Sequence, residues 1–383
     1  MKFSSRLLCV ICLLCMFSVT RSRATHVYSG EIFYSHVSDS TYKISVCLYI
    51  DCVTGFPDLY ATLPDNRIFI CAYDAHTRVD TFTLTRAVAD TPVDMPNPCG
   101  IDAPTQCRSL TSIIPGVRKY TFSGTYTLPH RSATWRFICT GSTNQVLGRT
   151  KATNVNEIGT LIGLEADLNS LYHNSSPALG NFMPSYFCIN SSSGYNPDAI
   201  DPDSDNLTFD LVTPVAMGQD SAFYLSDNAV PLTYKSPYTA TSPLATVPGS
   251  FTFSNATGGM SFTPNKLQRS LVVYNIEERR GGVLVGTSQH EMIVLAEPCS
   301  DPCNIDSAAT IYPIPANDKV FISLPTMQYS KVSVRNMLGQ FIWEQPITYN
   351  ITQLNTSILP VGVYFLILEG TTTRRVQKIV ISR

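Results

Sequence analysis

The sequence predicts an all-β protein, made of tandem immunoglobulin-like β-sandwiches followed by a small C-terminal β-sandwich. Apolar and polar residues alternate over short runs, as in Val320 to Leu324, which is the period of a strand with one buried face. Pro, Gly, Asn and Asp separate these runs at turn positions. No stretch of useful length shows the 3.6-residue period of an amphipathic helix. These observations favour stacked sheets over helical packing.

The charge of the chain is unevenly distributed. The net charge is −2, but residues 1–24 hold four basic residues and no acidic one, and residues 310–383 hold seven basic and three acidic residues. Residues 25–309 therefore contain 16 basic and 26 acidic residues. A surface this acidic excludes nucleic acid as a partner, since that interaction depends on basic side chains that release counterions. It attracts divalent cations instead.

Residues 1–24 are predicted to be a secretory signal peptide. Lys2 and Arg6 precede the apolar run from Leu7 to Val19, and Ser22 to Ala24 form a small-x-small cleavage site. The mature chain is therefore expected to begin at Thr25. The apolar run is too short to span a bilayer, so no membrane span is expected in the mature chain. The protein is predicted to be secreted or held at the outer cell surface.

Nine of the 12 cysteines lie beyond the predicted signal peptide. In an exported chain most of them are expected to form disulfides. Spacing favours two pairs, Cys99 with Cys107 and Cys299 with Cys303. Three further cysteines lie on or near predicted strands and are expected to be bridged or simply buried: Cys71, Cys139 and Cys188. The odd count leaves one thiol free or intermolecular.

The strand runs divide between two predicted sandwich domains, residues 25–150 and residues 151–299. In the first, strands are expected at 26–37, 41–52, 68–73, 82–86, 120–128 and 135–139. In the second, they are expected at 163–167, 207–211, 251–254, 271–276, 283–287 and 291–295, with 277–282 as a hairpin turn. Residues 300–309 are predicted to be a linker, and residues 310–383 are the C-terminal domain.

The C-terminal stretch carries four sequence blocks, at Ile311 to Asp318, Val332 to Gln340, Pro360 to Leu366 and Lys378 to Ile381. In this order they resemble the type A C-terminal sorting domain of proteins exported by the type IX secretion system of Bacteroidota. One departure is Ile314, where that family usually has Asn. The resemblance implies the type IX secretion machinery as a partner. The alternative is a plain terminal β-domain with no sorting role.

The region from 24 to 299 resembles gliding-motility-associated surface proteins of the same bacteria. The matching blocks are Ala24 to Val27, Leu48 to Cys52, Tyr186 to Cys188 and Ala199 to Phe209. That group has no agreed biochemical activity. The resemblance therefore implies a surface protein and little beyond that.

The segment from Asp201 to Asp205 is the sharpest candidate for a binding site. Asp201, Asp203 and Asp205 alternate with Pro and Ser, so their carboxylates are expected on one side of an irregular loop. A hard cation such as Ca²⁺, which takes six to eight oxygen ligands, relieves their mutual repulsion. These three residues are therefore the predicted metal ligands. The alternative is a solvated acidic turn before a strand.

The segment does not match an EF-hand loop. An EF-hand requires Gly at the position of Asn206 and Glu at the position of Val212. The loop is closer to the Asp-Pro-Asp-Gly-Asp loops of cadherin-like bacterial repeats, with Ser204 in place of Gly. Asp198 and Asp210 lie close by in sequence and are candidates to complete the ligand shell.

No catalytic residues are predicted, and the protein is not expected to be an enzyme. His290-Glu291 lacks the second His, four residues after the first, that a zincin helix requires. The alternative is a glycosidase-type pair of carboxylates, whose two members can lie far apart in the sequence. Four glutamates are candidates for it but are expected to be turn and edge charges: Glu31, Glu165, Glu277 and Glu278.

The expected function is a non-catalytic scaffold with a structural or adhesive role. The alternative is a carbohydrate-binding protein or an accessory to a secreted hydrolase. A third hypothesis is that the protein is itself an unrecognised hydrolase. Aromatic residues in a loop-rich stretch are suited to stacking on sugar rings or anchoring a surface protein, or else to covering a core: Phe223, Tyr224, Tyr234 and Tyr238.

Overall fold

The computed structural model describes residues 27–52, 67–86, 93–97, 105–108, 112, 114–141, 148–156, 162–217, 229–299, 309–324, 327–371 and 374–383. The predicted signal peptide and most of the predicted linker lie outside these residues. The regular structure is almost all strand, with one short 3-10 helix at Ser170–Tyr172, so the all-β prediction is confirmed. Across the described ranges, no helix has the length and hydrophobicity that crossing a bilayer requires.

The described residues form 28 strands. They are β1 (Val27–Ser38), β2 (Thr41–Asp51), β3 (Arg67–Asp74), β4 (Thr77–Thr85), β5 (Val93–Asp94), β6 (Val117–Thr127), β7 (Trp135–Gly141), β8 (Val155–Asn156), β9 (Leu164–Leu168), β10 (Ala178–Leu179), β11 (Phe187–Cys188), β12 (Ser193–Tyr195), β13 (Ala199–Ile200), β14 (Asn206–Leu211), β15 (Val215–Met217), β16 (Ala229–Pro231), β17 (Thr233–Tyr234), β18 (Thr252–Phe253), β19 (Met260–Phe262), β20 (Gln268–Arg280), β21 (Val283–Glu297), β22 (Thr310–Tyr312), β23 (Lys319–Ser323), β24 (Lys331–Asn336), β25 (Phe341–Pro346), β26 (Ile351–Asn355), β27 (Gly362–Glu369) and β28 (Arg374–Ile381).

The largest sheet folds back on itself around an apolar core. Its strands pair in the order β1, β2, β6, β4, β3, β7, β9 and β21, and β1 also pairs with β21, so the first and last strands meet. Large aromatic side chains fill the space that these strands enclose, among them Tyr34, Tyr42, Phe122, Trp135 and Phe137. Aromatic burial on this scale supplies much of the apolar surface removed from water.

The hairpin of β20 and β21 extends this sheet toward a second core. β14 pairs with the outer edge of β20, and side chains such as Phe209, Tyr274 and Met292 are buried beneath it. The tight turn at Gly281 and Gly282 uses φ values of +58° and +88°, which glycine adopts without steric cost.

The prediction of separate strands at 283–287 and 291–295 is wrong, because β21 is continuous. The polar residues Ser288 and His290 interrupt the apolar pattern but not the hydrogen-bond ladder with β20. The predicted turn at 277–282 is likewise shorter, because β20 continues through Arg280.

The strands on either side of residue 150 share hydrogen bonds. β9 pairs with β7, and β21 pairs with both β9 and β1. The division into domains at 25–150 and 151–299 stays a prediction. Strands from both predicted domains belong to one sheet.

The C-terminal residues form a separate two-sheet sandwich. β22, β23 and β26 make one sheet, and β25, β24, β27 and β28 make the other. Val320, Ile322 and Leu324, which alternate in sequence, are buried between them with Leu366 and Leu368 of β27. The alternation predicted these buried residues correctly, but the expectation of a single buried face is wrong, because Phe321 and Ser323 on the other face of β23 are buried too.

Two disulfides join described cysteines, and neither is a predicted pair. Cys107 bonds to Cys52 and not to Cys99, and Cys299 bonds to Cys188 and not to Cys303. Long-range pairing explains both bonds. β2 ends beside β6, so the Cys52 N–H reaches the carbonyl of Gly116, 2.9 Å away. β11 runs parallel to the end of β21 and brings Cys188 opposite Glu297. Cys71 and Cys139 are buried as thiols, one of the two outcomes expected for them.

A fully buried ion pair joins β21 to the segment at 148–150. Arg149 Nε lies 2.5 Å from Glu291 Oε1, and Arg149 Nη2 lies 2.7 Å from Glu291 Oε2. The same Nη2 donates to the carbonyl of Val215 at 2.7 Å, and the hydroxyl of Ser29 donates to the carbonyl of Glu291 at 2.6 Å. The side chains of Arg149 and Glu291 are 0% and 2% exposed. This pair therefore ties three distant segments to the centre of the sheet.

Replacing Glu291 with Gln is expected to lower the free energy of unfolding by about 3–5 kcal/mol, because it leaves the Arg149 guanidinium buried without a counter-charge. Urea denaturation measures the loss. The matched control is Glu344→Gln, which breaks an exposed cross-strand pair with Lys331 and should cost much less, because solvent screens an exposed pair. Equal losses in the two variants would contradict the role assigned to the buried pair.

Candidate functional site

The three aspartates predicted as metal ligands come together in the loop between β13 and β14. One carboxylate oxygen from each of Asp201, Asp203 and Asp205 lies within 4.8 Å of the others. Asp201 Oδ1 accepts hydrogen bonds from the backbone N–H of Asp203 at 2.9 Å and of Asp205 at 2.8 Å, so the loop folds around this side chain. Ser204 adopts a φ of +65°, the left-handed conformation that glycine favours.

An arginine already provides a positive charge for this cluster. Arg280 Nε and Nη2 donate to the two oxygens of Asp205 at 2.8 Å each, the bidentate geometry that suits a guanidinium and a carboxylate. Arg280 Nη2 also lies 3.3 Å from Asp203 Oδ2. Sequence reasoning missed Arg280, which it placed in a turn. The pairing of Asn206 with Arg279 brings the end of β20 beside the aspartate loop, and the sequence does not state that pairing.

A buried carboxyl group lies behind the arginine. Glu278 is 0% exposed, and its Oε2 accepts from Asn174 Nδ2 at 2.6 Å. Asn174 Oδ1 in turn accepts from Arg280 Nη2 at 3.1 Å. Glu278 Oε1 and Asp201 Oδ2 are both buried without a hydrogen-bond partner in the described part of the chain. The expectation that Glu278 is a turn charge is therefore wrong, because β20 carries it into the interior.

Burial and neighbouring charges change the acidity of two of these groups. Burial raises the pKa of Glu278, the hydrogen bond from Asn174 opposes this, and the charges of Asp201, Asp205 and Asp203 raise it further, to about 8. Burial also raises the pKa of Asp201 above its ordinary value, despite the two backbone N–H groups that stabilise its charge. The cluster therefore holds excess negative charge that it relieves by binding protons.

The two other aspartates proposed for the ligand shell lie elsewhere. Asp210 Oδ1 accepts from Asn255 Nδ2 at 2.7 Å. Asp198 packs against Gly180, where an added Cβ would lie 2.9 Å from Asp198 Oδ2. Neither belongs to the group of convergent carboxylates.

A second polar cluster forms around Glu31, another of the four glutamates. Glu31 Oε1 accepts from the hydroxyl of Tyr49 at 2.9 Å and from Lys119 Nζ at 3.1 Å. Glu31 Oε2 lies 3.4 Å from His290 Nδ1. At 7% exposure Glu31 is buried, so its assignment as an edge charge is also wrong. A polar residue within an alternating strand was the only sequence signal for this site.

The other glutamates and the His290-Glu291 pair contact different partners. Successive residues of a strand point to opposite faces, so His290 faces Glu31 while Glu291 faces Arg149. Glu165 accepts from Arg136 Nε at 2.7 Å, and Glu277 accepts from Arg279 Nη2 at 2.8 Å.

One of the aromatic candidates lines an open groove. Tyr238 and Phe251 border a groove of ≈ 530 Å³ together with Lys266, whose Nζ lies 5.9 Å from the centre of the Tyr238 ring. Tyr234 is partly buried and packs against the core, the alternative role considered for it. Phe223 and Tyr224 lie outside the described residues.

Comparison with known proteins identifies the C-terminal sandwich. Residues 310–382 match the family described as the secretion system C-terminal sorting domain. This tail indicates that the chain is cargo of the type IX secretion system of Bacteroidota, exported to the cell surface or the medium. Recognition by the type IX machinery follows from the same domain.

The remaining comparisons add no argument about function. No curated protein sequence matches the chain. Dimeric latent PorU from Porphyromonas gingivalis matches at 8% identity and a TM-score of 0.18 over 93% of this chain, which spans 34% of the PorU chain. The ICAM-5 D1-D4 ectodomain fragment matches at 10% identity and a TM-score of 0.13 over 92% of this chain and 76% of that one. The resemblance of residues 24–299 to gliding-motility-associated proteins stays a prediction.

Stability is expected to fall as the pH rises from about 4.5 to about 8, because the folded protein binds a proton at Glu278 that the unfolded chain releases at its lower pKa. Glu278→Gln removes this ionisable group. Its free energy of unfolding should exceed that of the wild type by about 2–4 kcal/mol at pH 9 and approach it near pH 4.

Urea denaturation across the pH range measures this difference. Glu277→Gln, at the partly exposed neighbouring position, serves as the control and should follow the wild-type profile. A constant offset between Glu278→Gln and the wild type at all pH values would contradict the raised pKa.

Proposed function

We propose that this protein is a non-catalytic scaffold that the type IX secretion system exports for display at the cell surface, with a structural or adhesive role. The observation that carries the proposal is the sorting domain at residues 310–382, since it assigns the chain to export. The upstream sheets then act as the cargo that is displayed.

The electrostatics of the upstream region support a non-catalytic role. Three of its carboxylates are held in ion pairs: Glu291 with Arg149, Asp205 with Arg280 and Glu165 with Arg136. Catalytic carboxylate pairs work because one group keeps a proton that it donates while its neighbour stays ionised. Paired with guanidinium groups, these carboxylates stabilise structure instead.

Carbohydrate binding is the second candidate function, and the groove beside Tyr238 favours it. Aromatic side chains such as Tyr238 and Phe251 present flat apolar faces on which sugar rings stack. Selective binding on a glycan array would favour this candidate over a pure scaffold.

Ca²⁺ at Asp201, Asp203 and Asp205 is part of the proposal. The residues fit this cation in two respects: three carboxylates converge, and Asp201 Oδ2 is buried without a partner. Arg280 neutralises only one of the three charges, so the group retains an attraction for a divalent cation. Bound Ca²⁺ would supply electrostatic relief to the loop and no chemistry.

Deleting residues 310–383 is expected to trap the rest of the protein in the periplasm, because the sorting domain is the export signal. Cell fractionation and immunoblotting of the culture medium measure this. The reciprocal fusion, residues 310–383 behind a periplasmic reporter, should release the reporter from the cell. Wild-type amounts of the truncated protein outside the cell would refute the sorting role.

Ca²⁺ at 10 mM is expected to raise the free energy of unfolding by about 1.4–2.7 kcal/mol over chelator, for a dissociation constant on the order of 10⁻⁴ to 10⁻³ M. Thermal melts measure the difference between the two conditions. Asp203→Asn should lose most of it, whereas Asp210→Asn, outside the cluster, should keep it. Equal melting midpoints of the wild type in calcium and chelator would remove Ca²⁺ from the proposal.

A further inference from the structure

A small pocket lies between the Glu31 face of the sheet and the segment at 177–182. Its volume is ≈ 120 Å³, and both polar and apolar side chains line it. We call Glu31, Lys119 and His290 the polar wall, and the apolar lining includes Pro177, Leu179 and Ile276. β10, which carries Leu179, is held in place by pairing with β13.

Strand register brings the polar groups together from three separate parts of the chain. Glu31 on β1 lies directly opposite Cys47 on β2 and His290 on β21, and His290 lies opposite Tyr274 on β20. Directly opposite residues share a face of the sheet, so these four side chains form one row across it. Lys119 reaches Glu31 from β6, one strand beyond β2.

The polar wall retains unused hydrogen-bonding capacity. His290 is 3% exposed, and its Nδ1 makes no hydrogen bond to the described residues. Glu31 Oε2 lies 3.4 Å from this nitrogen. An ammonium group carries three donors, of which Lys119 directs one to Glu31 Oε1 and a second to Cys47, so one donor is left for a ligand. A buried wall with unsatisfied donors and acceptors is unfavourable unless a further partner, solvent or ligand, completes it.

The charges of the pocket balance. Burial would raise the pKa of Glu31, but the charge of Lys119, the neighbouring His290 ring and the hydrogen bond from Tyr49 outweigh it and hold the pKa well below its usual range. Lys119 in turn keeps its proton, since Glu31 offsets its burial, and its ammonium lies 5.3 Å from the Tyr49 ring centre and 5.2 Å from that of Phe182. Glu31 therefore repels an anionic ligand and Lys119 repels a cationic one, so ions of either sign are disfavoured.

We propose that this pocket binds a small neutral ligand that carries hydroxyl groups. The ligand is a terminal monosaccharide, one edge of which enters the pocket. A hydroxyl group both donates and accepts, so one hydroxyl donates to Glu31 Oε2 while it or its neighbour accepts from Lys119. The C–H face of the sugar packs on Leu179, Pro177 and Ile276. This activity goes beyond display and is independent of export, because it uses only residues upstream of the sorting domain.

The test is saturation-transfer NMR on the purified mature chain, with methyl glycosides of glucose, galactose, N-acetylglucosamine and xylose as probes, and acetate and methylammonium as charged comparators. At least one glycoside should bind with a roughly millimolar dissociation constant, as its size implies, and the ions should not. Silence from all four glycosides, or equal binding of the ions, would overturn the proposal.

Two variants locate the binding. Leu179→Trp fills the pocket from its partly exposed wall without touching the polar groups, and should weaken binding by about tenfold or more with an unchanged melting temperature. Ile200→Trp, an exposed position on β13 of the same two-stranded sheet, is the matched control and should bind normally.

Tyr238→Ala separates the pocket from the open groove. Binding that survives Tyr238→Ala and is lost in Leu179→Trp supports the pocket. Binding that survives Leu179→Trp and is lost in Tyr238→Ala would overturn the pocket and assign the sugar to the groove. Deletion of residues 310–383 tests export and not sugar binding, so its result does not affect either of these two outcomes.

Discussion

Hydrogen bonding along both edges of β21 is the constraint on which the rest of the upstream region depends. One edge pairs with β20 over nearly its whole length, and the other edge pairs in succession with β9, β1 and β11. The alternation of side chains then divides its polar residues between two environments. Glu291 meets Arg149 in a fully buried ion pair, whereas His290 faces Glu31 and the pocket. A central strand with unpaired polar groups at these positions would be costly, so the partners and the strand stabilise one another.

The aspartate loop shows how the protein's own groups accommodate a cluster of like charges. Arg280 binds Asp205 with two hydrogen bonds and contacts Asp203, while Asp201 is satisfied in part by backbone N–H groups. Burial raises the pKa of Glu278, and the remaining negative charge of the aspartates raises it further, so Glu278 favours its neutral form. Protons, arginine and a divalent cation are thus alternative ways to relieve one electrostatic excess.

The Glu31 pocket and the aspartate loop both adjoin the hairpin of β20 and β21, through His290 and Arg280, and differ in their charge balance. The loop keeps more negative charge than its arginine neutralises, which suits a cation. The pocket pairs one carboxylate with one ammonium, which suits a neutral ligand that both donates and accepts hydrogen bonds. The two proposed ligands therefore differ because the carboxylates of the two places are paired to different extents.

Short-range patterns in the sequence determined the fold class, the C-terminal sandwich, the hairpin of β1 and β2, and the meeting of Asp201, Asp203 and Asp205, because each depends on residues that are neighbours in the chain. Tertiary structure alone decided the partners across long separations: Cys52 with Cys107, Cys188 with Cys299, Arg280 with the aspartates, and Glu31 with Lys119 and His290. Strand order and register select these partners. A strand's own sequence specifies which face is buried but not which strand lies beside it.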